Sequence, residues 1–96
     1  LEWWAALMAR TAASTLEGFL QMVPHVDVTD EVARITAPTL VVTTTGSGLG
    51  SVDSVRAWQE RIMGSRLMVL DNDSYHVAAS DPDETAALVR DFLFAA

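Results

Sequence analysis

The chain has 96 residues, half of them apolar, a formal net charge of −7 and no cysteine. Its six basic residues form no cluster, which argues against the Lys/Arg surface that nucleic acid or an anionic membrane requires. Without thiols there are no disulfides and no thiolate metal sites. What remains is a globular composition, one small domain or a piece of a larger one, that suits a cytoplasmic protein.

No apolar run approaches the roughly 18 residues of a membrane span, and no charged leader with an apolar core opens the chain. It begins at Leu1 inside a helical pattern, so further sequence upstream is expected. Leu1, Trp4, Met8 and Thr11 fall on one helical stripe, with Trp3 and Leu7 beside it, which predicts a helix reaching Ala13. Ser14 with Glu17 has the form of a capping box and predicts a second start. Leu16, Phe19, Leu20 and Val23 make the apolar face of that helix, and Pro24 ends it. His25 to Pro38 is connection, with one helical turn expected from Thr29 through Ile35.

Thr39 to Thr45 is the clearest strand, rich in β-branched residues. The turn Gly46-Ser47-Gly48-Leu49-Gly50 leads to Ser51, a helix cap, with Asp53 in the first turn. Val52, Val55, Trp58 or Gln59, and Ile62 give that helix its stripe, and Gly64 is its natural stop. Leu67 to Leu70 is a second strand, and strand–helix–strand over this length is a βαβ unit with parallel strands. After the loop Asp71 to His76, Asp81 caps a last helix, with Pro82 in its first position and Glu84 completing a box. Leu88, Val89, Phe92 and Leu93 are its expected inward face. The expected fold class is α/β.

Continuously apolar strands suggest burial on both faces, as in parallel sheets. Two such strands cannot cover each other's edges. The chain is therefore expected to complete a sheet supplied by further sequence or by another polypeptide. The competing reading is an independent small α/β domain closed by its own helices.

Chemistry in open α/β sheets sits just outside the carboxyl ends of strands. His76 occupies such a place, and an unperturbed imidazole titrates near neutral pH, so it is the leading candidate for a general base. The bland alternative is a loop histidine that caps or packs. His25, after a proline in a polar loop, is a weaker candidate. Gly46 and Gly48 give a partial dinucleotide fingerprint whose third glycine position is Ser51, and there is no P-loop. Two histidines without ligand spacing make no metal site, so neither a metal nor another cofactor is expected. No G-x-S-x-G elbow is present, and the nucleophile that His76 would serve is not recognisable in this chain.

Taken together, Ile35-Thr36-Ala37-Pro38-Thr39-Leu40-Val41-Val42, a glycine turn, a helix with Trp58, Ser65-Arg66-Leu67-Met68-Val69-Leu70, Ser74-Tyr75-His76 and a final helix through Asp91-Phe92-Leu93 resemble the C-terminal third of an α/β-hydrolase. Ser74-Tyr75-His76-Val77-Ala78 is most similar to the lactonase and esterase branch. The resemblance implies that residues 1–25 leave a cap region and residues 26–96 form the C-terminal part of the core. The two strands would then be the last two of the sheet. His76 would be the triad histidine, acting on a small ester or lactone with a serine supplied by an N-terminal hydrolase segment. The family's aspartate position falls on Leu49 here; Asp53, the nearest carboxylate, is a candidate acid as well as a helix-dipole charge, and the alternatives are an acid from an earlier strand or an incomplete triad. Tyr75 and Trp4 are candidates for lining the substrate pocket. A non-catalytic partner chain and a small nucleotide-binding βαβ module are the competing functions.

Overall fold

A computed structural model describes residues 2–95. Leu1, the first residue of the predicted stripe, lies outside them. The alanine-rich start forms α1, Glu2–Ala9, which closes where the Arg10 and Thr11 amides turn back to Leu7 and Met8. Helix α2, Ala13–Met22, begins from an extended Ala12. The expected capping box at Ser14 is not formed. Ser14 already lies inside the first turn, and the capping position carries a methyl group with no acceptor. Pro24 falls in a 3-10 turn, Val23–His25, and a second such turn spans Thr29–Arg34.

Strands β1, Leu40–Thr44, and β2, Arg66–Leu70, pair in parallel, with Leu40 opposite Arg66 and Thr44 opposite Leu70. Backbone bonds from Arg66 to Thr39 and from Thr45 to Leu70, at 3.0 and 2.9 Å, carry the ladder past both ends. Helix α3, Val52–Gln59, crosses between them, and the Ser51 hydroxyl accepts from the Ser54 amide at 3.1 Å, as the sequence predicted. The helix stops at Gln59, ahead of the expected Gly64. There the Gln59 amide donates to Ser65 Oγ at 2.7 Å, and Ser65 Oγ donates back to the Gln59 carbonyl at 2.9 Å. This clamp folds the chain into turns that bury Ile62. Gly64 sits among them at φ 73°, a conformation that favours glycine.

The turn α4, Val77–Ser80, and the helix α5, Pro82–Phe94, follow. Asp81 stands at the cap of α5 but makes no capping bond with its side chain. Its carboxylate accepts from Asn72 and Ser80 instead. On α5, Thr85, Leu88 and Phe92 turn inward, whereas Val89 and Leu93, expected on that face, are exposed.

The result is a small α/β unit, helices with a two-stranded parallel sheet in βαβα order. Its core is thin. Among the described residues the buried hydrophobics are Ile62 and Leu70, joined by Thr44 and Gln59. Met68 and Val69 of β2 remain 38% and 36% exposed, so burial on both faces is not reached within this chain. The accessible surface is 7556 Å² for 10.4 kDa, where a folded monomer of that mass exposes about 5,400 Å². The radius of gyration, 15.9 Å, likewise exceeds the roughly 12.5 Å of a compact domain this long.

Candidate functional site

The loop after β2 is built by short polar side chains. Thr44, at the carboxyl end of β1, donates its hydroxyl to the Ser74 carbonyl at 2.5 Å. The Thr45 hydroxyl lies 3.0 Å from Asp71 Oδ1, and the Gly46 amide donates to the Asn72 carbonyl at 2.9 Å. The segments that leave β1 and β2 are thereby tied together where the parallel strands end. Asn72 Oδ1 accepts from the Ser74 amide at 2.9 Å and turns the chain. A Cβ on Gly46 would lie 3.2 Å from the Asn72 carbonyl and from Asp73. Gly46 therefore has a reason internal to the fold, the close approach of this loop, and needs no nucleotide to account for it.

His76 is fixed through its backbone. Its amide donates to Ser74 Oγ at 3.1 Å, and its carbonyl accepts from the Ala79 and Ser80 amides at 2.9 and 3.1 Å, opening α4. Ser74 Oγ and Ser80 Oγ lie 2.7 Å apart, and Ser80 Oγ lies 2.6 Å from Asp81 Oδ2. Each hydroxyl has one proton. The consistent assignment is that Ser80 donates to the carboxylate, Ser74 donates to Ser80, and Ser74 accepts from His76. A chain of polar groups from Asp81 thus holds the histidine backbone. Sequence reading missed this role of Ser80 and Asp81. The signal was present as hydroxyls two residues before and four after the histidine, a spacing that suits local turn bonds.

The imidazole itself makes no hydrogen bond among the described residues. It lies against two aromatic rings, with the Tyr75 centroid at 4.5 Å and the Trp4 centroid at 5.4 Å. Trp3 meets Trp4 edge to face at 5.6 Å. These rings and Ser74 and Ser80 line an open cavity of about 350 Å³. Helix α1 thereby reaches the loop after β2, and Trp4, Tyr75 and His76, three of the site residues expected from sequence, come together.

Asp53 does not join them. It lies in the first turn of α3, its side chain 96% exposed and 3.5 Å from Arg56. His25 ends its 3-10 turn in the open. Trp58 is half-buried beside Val26 and Val32, under the connection between α2 and β1. No cluster of three or more metal-ligating side chains occurs among the described residues, and no described helix is long and apolar enough to cross a membrane. Comparison with protein-family models, curated proteins and solved structures found no match.

Proposed function

We propose that the chain is the C-terminal part of an α/β-hydrolase core and supplies the catalytic histidine for cleavage of a small carboxylic ester or lactone. The observation that carries this reading is the state of His76. Its backbone is locked by Ser74, Ser80 and Asp81, while its ring, set against Trp4 and Tyr75, makes no hydrogen bond among the described residues and lines a cavity beyond the carboxyl end of β2. A packing histidine would spend its ring nitrogens on neighbours, whereas a base must keep one within reach of the proton it takes.

In this mechanism a serine and its oxyanion donors come from a joined hydrolase segment, on the same polypeptide or a separate one. The His76 imidazole takes the serine proton as the oxygen attacks the carbonyl carbon. The imidazolium then returns that proton to the departing alkoxide, leaving an acyl-enzyme. In the second half the imidazole takes a proton from water, whose oxygen attacks the acyl carbon, and hands it back to the serine. Because Asp53 is turned to Arg56, the carboxylate that orients the imidazole is assigned to the joined segment.

The surface supports a joined segment. The excess over a folded monomer is about 2,000 Å², which is the area one side contributes to a large obligate interface. That same observation favours the second reading, a chain that completes a partner's sheet without chemistry. Turnover separates the two. In the joined protein, His76→Ala should lower hydrolysis of a neutral p-nitrophenyl ester by at least about a thousandfold with the circular dichroism spectrum retained. Near-normal turnover in that variant would leave only the non-catalytic reading.

A further inference from the structure

We infer that Trp4 and Tyr75 determine specificity, and that the group their cavity receives is flat, apolar and free of carboxylate. The inference rests on the site proposed above but is tested by binding, which does not require turnover. The cavity of about 350 Å³ is walled by Trp3, Trp4, Tyr75 and His76, with Ser74 and Ser80 as its polar members. Rings at 53° and 50° to the imidazole, with centroids 5.4 and 4.5 Å from it, leave π-faces for a planar guest, which offset or edge contacts favour over an aliphatic body of equal size.

Charge points the same way. Among the described residues the lining carries no Lys or Arg, so a carboxylate entering it gives up water without gaining a permanently charged partner. The chain as a whole is at −7, and its field repels anions at long range. Trp4 is the more informative of the two walls. It belongs to α1, far from the loop in sequence, and it is 41% exposed, so its loss does not open the core.

Three ligands of matched size measure the preference by equilibrium dialysis at pH 7: 2-naphthol, decahydro-2-naphthol and 2-naphthoate. The expected order is 2-naphthol tightest, its saturated counterpart about three- to tenfold weaker, and the naphthoate at least about tenfold weaker. Trp4→Ala should weaken 2-naphthol by about three- to tenfold and erase the preference for the flat ring, and Trp4→Phe should restore most of both. Equal binding of all three ligands, or an unchanged preference in Trp4→Ala with its native circular dichroism, overturns the inference. Binding in the expected order with no esterase activity upholds it and removes the hydrolase reading. Turnover that is indifferent to ring and charge removes this inference alone.

Discussion

Gly46 shows how a single missing methyl group sets the position of the imidazole loop. Its Cα faces the Asn72 carbonyl and Asp73 so closely that a Cβ would come to 3.2 Å of both, so Gly46→Ala requires the Asn72–Asp73 backbone to give by a few tenths of an ångström. The expected cost is about 1–3 kcal/mol, as for other overpacked sites, read from urea unfolding midpoints. Gly48→Ala, with open space around it, is the internal control and should stay within about 0.5 kcal/mol. Asp27 gives a second test on a single residue. Its carboxylate accepts from both the amide and the hydroxyl of Thr29, which hold its pKa below the ordinary 3.8. A lowered carboxylate pKa means stabilisation that is present above the unfolded value and lost as pH falls through the folded one. Carbon-detected NMR titration should therefore place the Asp27 midpoint below the ordinary 3.8, and Thr29→Ala should bring it back up. These residue-scale causes were only partly visible in sequence. Ser51 was legible as a cap because its partner is three residues away. The capping boxes at Ser14 and Asp81 were misread because other groups claimed those positions: an extended Ala12 in the first case, and Asn72 and Ser80 in the second.

At the scale of elements, the segment from β2 into α4 depends on hydroxyl groups. Ser74→Ala removes the acceptor for the His76 amide and the link to Ser80. In the proposed mechanism Ser74 would hold the His76 backbone without performing the chemistry. Its loss in the joined enzyme should therefore lower kcat by about ten- to a hundredfold while KM moves little. Ser74→Thr, which keeps the hydroxyl, should recover most of it. A proportionate rise in KM with kcat intact would instead assign Ser74 to substrate binding. The βαβ order, the parallel pairing and the place of His76 were legible because β-branched runs, a glycine turn and a helix stripe are local signals. The packing of α1 against the His76 loop was not, since it rests on two tryptophans whose helical spacing fits core as well as pocket.

For the whole molecule, the surface and the radius describe a chain with more apolar area than its own helices can cover. If the proposed arrangement holds, the sheet continues beyond β1 and ends at β2. The two-residue alternation of a parallel ladder turns the Val42 amide away from β2 and the Val69 amide away from β1. Hydrogen exchange followed by NMR should then find both fast in the 96-residue chain. On joining the hydrolase segment, Val42 should slow by at least about a hundredfold, with Val69 unchanged. Protection of Val69 alone would place the added strands on the wrong side. Sequence reading anticipated this shortage of cover from two buried-looking strands. The extent of it, with only Ile62 and Leu70 as buried hydrophobics among the described residues, emerges only once the chain is folded and the faces of α5 are sorted into Leu88 and Phe92 inside, Val89 and Leu93 outside.

Within this chain the loop from Asn72 to Asp81 is shaped by Thr44, Thr45, Gly46 and the loop's own serines. They set the backbone of the bend, while in the proposed reading the carboxylate that orients the ring arrives with the joined segment. In the proposed enzyme, a cut ahead of Thr39 would part Trp4 from His76, so remixed pieces would regain turnover only once α1 and the joined segment had docked onto an already folded bend.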